Sequence, residues 1–160
     1  MDHAGFDAFY RSEHSRVLGV VVALTGRADL ARDAADEAFA RALARWPRVS
    51  KMESPGAWTA KVALNVVRRS IGRATRERAL LAESWSGVDV PESDPELWSL
   101  VRALPPRQRA AVVLRYVGDF SHAEIAQAMR VRPGTVGSTL DAAHRNLRES
   151  LATEEVENRG

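Results

Sequence analysis

The sequence predicts an all-α chain built as two small helical domains joined by a flexible acidic linker. Three observations predict it. Apolar residues recur at spacings of three and four along most of the chain. Strand-like alternation is almost absent, and the stretch AESWSGVDVPESDP has neither a helical period nor a cation. At 160 residues the length allows one domain or two small ones, neither with a large core.

The first helix is carried by Phe6, Phe9, Tyr10, Val17, Val20, Val21 and Leu24, and Thr25-Gly26 ends it. Asp29 is placed to cap a second helix, whose stripe Leu30, Ala34, Ala38, Ala42 and Trp46 runs until Pro47 stops it. PRVSKMESPG reads as a loop. Ser54 followed by Pro55 starts a third helix expected to run to about Leu80. These 80 residues form the predicted first domain, with residues 81–95 as the linker. The period resumes from Glu96 with Leu97, Leu100, Val101 and Leu104, breaking at Pro105-Pro106. RQRAAVVLRYV, a turn at Gly118 to Phe120, SHAEIAQAM, a second turn and a last helix to about Leu151 complete a second domain over residues 96–152. Residues 153–160 read as a frayed polar tail.

Composition excludes several chemistries. There is no cysteine, so disulfides, thiol catalysis and cysteine-ligated metals are ruled out. The four histidines lack metal-ligand spacing, and no phosphate loop or nucleophile motif appears, so neither an enzyme, a metal nor a cofactor is expected. His14 beside Glu13 reads as helix surface rather than an acid–base pair. No apolar run reaches the roughly 18 residues of a membrane span, and MDHAGFDAFYRSEH lacks a signal peptide's regions, so a cytoplasmic location is expected. The net charge is only +2, but the cations are 21 Arg against 2 Lys, and guanidinium is the better fork for phosphate and carboxylate.

The sharpest local signal lies in the second domain. Ser121 and Glu124 have the spacing of a capping box, Ile125, Ala126 and Met129 give their short helix one apolar side, and Val131 plugs the following corner. Thr135 is expected to open the next helix, with Val136, Leu140, Ala143 and Leu147 facing inward. This is the pattern of a helix-turn-helix, though a plain helical hairpin has the same spacing. In the first domain, Lys61, Arg68, Arg69, Arg73, Arg76 and Arg78 face one acid, Glu77, and Trp58, Lys61 and Asn65 fall along one ridge. That is the footprint of a nucleic-acid strand, or else a solvated basic face. Asp29, Asp33, Asp36 and Glu37 give the second helix an acidic side.

LPPRQRAAVVLRYVGDFSHAEIAQAMRVRPGTVGSTL resembles the fourth conserved region of bacterial RNA polymerase sigma factors of the extracytoplasmic-function (ECF) group, sigma-70 family. The Leu-Pro-x-x-x-Arg opening, Val-Leu-Arg-Tyr run, Ser-x-x-Glu-Ile-Ala helix and Gly-Thr-Val turn carry the likeness. LTGRADLARDAADEAFARAL resembles region two's polymerase-binding helix, and SPGAWTAKVALNVVRRSIGR the helix that reads and opens the minus-ten element. The resemblance covers nearly the whole chain in the family's order.

It implies a noncatalytic subunit that binds bacterial core RNA polymerase and promoter DNA, with an anti-sigma factor as a further candidate partner. Asp29, Asp33, Asp36, Glu37 and Phe39 would meet the polymerase, and Phe39 could equally be core. Ser50, Lys51, Trp58, Lys61, Asn65, Arg68, Arg69, Arg73 and Arg76 would take the melted minus-ten strand, with Trp58 serving as base platform or as core. Arg132, Thr135, Val136, Ser138, Thr139 and Arg145 would read the minus-thirty-five element. The acidic linker would thread the polymerase near its RNA path, or act as a mere tether. A conventional helix-turn-helix regulator, acting without polymerase, is the alternative.

Four departures from the family pattern stand out. Asp36 replaces a usual Gln, Gly137 a usual Lys, Thr139 a usual Arg, and Asp141-Ala142 a polar or basic pair. The resulting expectation is weak minus-thirty-five binding, with affinity resting on region two and polymerase tethering.

Overall fold

A computed structural model describes residues 3–74 and 95–160, the last four of the first stretch by backbone alone. Among the described residues the chain is helical without a strand: α1 (Phe6–Thr25), α2 (Ala28–Ala44), α3 (Trp46–Val49), α4 (Pro55–Ala74), α5 (Pro95–Ala103), α6 (Pro106–Tyr116), α7 (His122–Met129) and α8 (Pro133–Arg159). Helices α1, α2 and α4 pack on one another, as do α6, α7 and α8.

Local chemistry explains the helix ends. Gly26 caps α1 at φ +66, a left-handed conformation open to glycine at little cost, and its N–H donates to the Val22 carbonyl. The α2 cap differs from expectation: Arg27, not Asp29, is the cap residue, and it offers no side-chain bond. Asp29 falls in the first turn, where a carboxylate favours the positive end of the helix, and Arg27 pairs with it at 2.8 Å.

Pro47 also acts differently. Helix α2 ends at Ala44, and Pro47 stands second in α3, a single turn that begins at Trp46 and runs into the stretch expected to be loop. Proline is tolerated in a first turn because its missing N–H has no helical partner there. Likewise Pro133 opens α8 after the cap residue Arg132, two residues before the expected start at Thr135. The polar tail expected to fray is helical through Arg159 and largely exposed. TEEVENR contains no glycine or proline to stop it.

Ala57, Ala60, Ala63 and Val67 form the buried side of α4, and Ala31, Ala34, Ala35 and Ala38 that of α2. Small residues on both surfaces let the two helices approach closely. A second apolar cluster, Ala42, Trp46 and Val49, joins Phe6 and Phe9 at the far end. The larger core runs without interruption from α1 and α4 into α6, α7 and α8, so the two helical groups touch directly.

Candidate nucleic-acid interface

Ser54 immediately precedes α4, and its hydroxyl oxygen accepts from the Ala57 N–H at 3.2 Å. With the alanine side turned inward, Lys61 and Asn65 are left half-buried and Arg68 and Arg69 exposed. Trp58 is half-buried, packed on the cluster of Ala42, Trp46 and Val49 while keeping part of its surface open. Both readings of Trp58 therefore hold in part. Arg73 is described by its backbone alone, and Arg76, Arg78 and the linker up to residue 94 lie outside the described residues.

The turn of α3 sets what stands beside Trp58. Trp46 donates its indole N–H to the Ala4 carbonyl at 2.9 Å and meets the Phe6 ring edge-on at 5.3 Å; Val49 is fully buried. Thus anchored, α3 holds Ser50 and Lys51 at the surface just beyond its C-terminal end. Lys51, Lys61, Arg68 and Arg69 pair with no acid among the described residues. Among the described residues their charge is uncompensated, and uncompensated cations are what phosphate binding draws on.

The acidic side of α2 is partly neutralised from within. Arg27 pairs with Asp29 and holds its carboxyl below the ordinary value, chiefly through its side-chain hydrogen bond. Arg41 pairs with Glu37 one turn away. Asp33 and Asp36 are exposed and pair with no described cation. Phe39, expected as a docking anchor or as core, is core: it is 3% exposed and enclosed by Phe9, Tyr10 and His14. The exposed aromatic here is Tyr10, at 37%, bordering a shallow groove with Asp36 and Leu43. Tyr10 escapes sequence reasoning because it sits within an apolar stripe.

In the second group the capping box forms as expected. The Glu124 N–H donates to the Ser121 hydroxyl at 3.2 Å, and the Ser121 N–H to the Glu124 carboxylate at 3.1 Å. Arg130 takes the left-handed conformation at φ +57, and Val131 turns into the corner, its N–H donating to the Ala126 carbonyl at 3.0 Å. Helix α8 then buries Val136, Leu140 and Ala143. Val136 must be removed from the DNA-reading set: at 1% exposure it belongs to the core and has no surface to offer a base.

Arg132, Thr135, Ser138 and Arg145 are exposed and Thr139 half-buried. The Thr139 and Ser138 hydroxyls donate back to the Thr135 carbonyl, at 2.6 and 3.1 Å. A Cβ added at Gly137 would meet nothing within 4 Å, so the position is open. Tyr116, 64% exposed, places its hydroxyl 2.8 Å from His144 Nε2 beside this helix, a pairing that spacing alone did not suggest.

The largest omission of sequence reasoning is Arg16. From α1 its guanidinium donates to the carbonyls of Gly118 and Asp119, lies 3.8 Å over the Phe120 ring centre and stands 3.7 Å from Glu124. Glu13 braces it at 3.0 Å from the same helix, and Ser54 hydrogen-bonds Glu124 from the start of α4.

Comparison with known proteins agrees with this architecture. Residues 9–77 match the Sigma-70 region 2 family and residues 95–147 the Sigma-70, region 4 family. The chain is 31% identical over 135 residues to the RNA polymerase sigma-E factor of Streptomyces antibioticus, covering 81% of this chain and 74% of that one. It is 28% identical over 162 residues to the ECF RNA polymerase sigma factor SigE of Mycolicibacterium smegmatis, covering 92% of this chain and 62% of that one. The sigma factor RpoE of Bartonella quintana, solved in complex with the anti-sigma factor NepR, shares the fold. Its TM-score is 0.77 at 18% identity, over 92% of this chain and 96% of that one. With both sigma regions in order and a relative of this identity and coverage, the chain belongs to the ECF group of sigma-70-family RNA polymerase sigma factors.

Proposed function

We propose that the chain is a dissociable sigma subunit that brings core RNA polymerase to particular promoters, recognises minus-ten and minus-thirty-five elements and helps melt the DNA. The observation that carries this reading is the row along α4 and α3: half-open Trp58, half-buried Lys61 and Asn65, and Lys51, Arg68 and Arg69, which pair with no acid among the described residues. A strand of melted DNA needs an aromatic surface for an unstacked base, an amide for its edge and cations for its phosphates. These residue types stand in one row.

On the neighbouring helix, the exposed carboxylates Asp33 and Asp36 fit a basic partner surface on the polymerase. Tyr10 takes the place first assigned to Phe39 as the aromatic contact. Helix α8 is the minus-thirty-five reader, with Arg132, Thr135, Ser138, Thr139 and Arg145 as its contacts. Its first turn holds no acid and no lysine, so the positive end of the helix carries much of the attraction. An anti-sigma factor is the third partner, by analogy with the Bartonella protein.

The proposal is tested by mixing the chain with bacterial core polymerase and promoter DNA and mapping permanganate-reactive thymines. Chain-dependent reactivity around the minus-ten element supports it. Protection of duplex DNA without polymerase and without melting would place the chain among conventional regulators.

A further inference from the structure

Asp141 stands among the α8 residues assigned to DNA, yet it is an acid. The core sets its direction. Val136, Leu140 and Ala143 are buried on one side of the helix. Gly134, Ser138, Asp141 and Arg145, spaced by three or four residues, follow one another along the opposite side, and all four are exposed. Asp141 pairs with no cation among the described residues, although Arg145 lies one turn further along the same side.

The helix surface on the N-terminal side of Asp141 is bare. A Cβ at Gly134 or Gly137 would meet nothing within 4 Å, and the Ser138 hydroxyl is folded back onto the Thr135 carbonyl at 3.1 Å. No long side chain therefore holds this part of α8 away from the floor of a groove. A carboxylate on a single methylene is short and meets a base edge only where the backbone itself comes close, the approach that glycine permits. Glycine at 137 and an acid at 141, both departures from the family pattern, thus act together.

In the major groove a carboxylate can only accept. Cytosine presents its N4 amino donor, guanine the acceptors O6 and N7, thymine the acceptor O4, and adenine an N7 acceptor beside its N6 donor. Against the wrong base the acid is left facing an acceptor, a penalty rather than a merely absent contact. We infer that Asp141 is a specificity-determining residue of this DNA-reading helix, selecting cytosine at one position of its duplex element by accepting a hydrogen bond from the N4 amino group. Near phosphates the acid weakens binding to every sequence alike, so α8 binds weakly and discriminates sharply.

The inference rests on α8 as the minus-thirty-five reader, and a selection experiment separates the two. The full chain, with and without bacterial core polymerase, is mixed with random duplex DNA, the retained molecules are sequenced, and run-off transcription is measured on the same pools. The native chain should enrich a motif in which cytosine exceeds each other base about tenfold at one position. Asp141→Asn should move that preference to adenine, whose N6 and N7 an amide bonds as a pair. Asp141→Ala should bind at least as tightly, lose the preference at that position and leave the rest of the motif unchanged. Both variants should keep the helical circular dichroism, because the side chain is exposed.

A motif without such a position, a preference that neither substitution moves, or a uniform rise in affinity with no change of motif overturns the inference. If the preference shifts as stated on DNA bound without polymerase, and no pool yields a transcript, Asp141 reads bases in a conventional regulator: the inference stands and the sigma reading fails. Enrichment of no motif, with or without polymerase, overturns both.

Discussion

Arg16 on α1 reaches Glu124 on α7 at 3.7 Å, an ion pair that joins the two halves of the chain. Burial alone would push the Glu124 carboxyl up, but bonds from Ser54 and Ser121 and the Arg16 charge outweigh it and hold the group below its ordinary value. A carboxylate depressed in the folded state adds stability above its unfolded value, near 4.5, and loses it as pH falls through the folded value. Around Glu124 stand Arg16 and Glu13 from α1, Ser54 and Glu53 before α4, and Asp119 in the adjoining turn. The stability that this pair adds is expected to be constant from pH 8 to about 5 and to weaken in more acid solution. Carbon-detected NMR titration should give Glu124 a midpoint below the ordinary glutamate value, and Arg16→Ala should raise it. A midpoint that Arg16→Ala leaves unmoved would show that the pair does not hold the carboxyl down.

Arg68 and Arg69 are exposed and pair with no acid among the described residues, and Arg68 borders a cleft that Leu64, Ala128 and Met129 also line. Replacing both by Ala should lower open-complex formation by about tenfold and shallow its salt dependence, because two phosphate contacts are lost. Affinity for core polymerase, measured by fluorescence anisotropy, should change by less than about twofold. Equal loss of both, or of neither, contradicts the assignment of this face to DNA.

Gly137 sits in the first half of α8 with open space where a side chain would stand. Gly137→Lys should steepen the salt dependence of minus-thirty-five binding by about one unit and add about 0.7 kcal/mol of helix stability. Quantitative footprinting with polymerase over a salt series reads the first effect and thermal melting the second. A more stable chain with unchanged salt slope would show that the position faces away from DNA.

Gly118 closes the turn that Arg16 grips. A Cβ there would lie 2.7 Å from the Phe120 ring and 2.8 Å from the Leu114 carbonyl, and neither can yield easily. Gly118→Ala should destabilise the second helical group by about 1–3 kcal/mol, lowering its melting temperature by several degrees. An unchanged melting temperature would mean that the turn adjusts freely.

Much of the fold was legible because helix signals are local. The three-and-four spacing, Thr25-Gly26, Ser54-Pro55 and the Ser121/Glu124 box each act within a turn of chain, and each forms where the sequence placed it. Pro47 was ambiguous for a physical reason: proline both ends one helix and suits the first turn of the next. Val136 was given two roles, in the core and at DNA, and burial leaves only the first. Arg16 was invisible because its partners come from the other end of the chain. Nothing in the spacing of FYRSEHSRV distinguishes an arginine that grips another helical group from one that faces water.

As a sigma subunit, this chain is expected to confer promoter-specific initiation on core polymerase. Run-off transcription from a genomic promoter library, with bacterial core polymerase alone and with the chain added, measures it directly. A discrete set of transcripts is expected to appear only with the chain and to share minus-ten and minus-thirty-five elements upstream of their starts. An identical transcript pattern with and without the chain would contradict it.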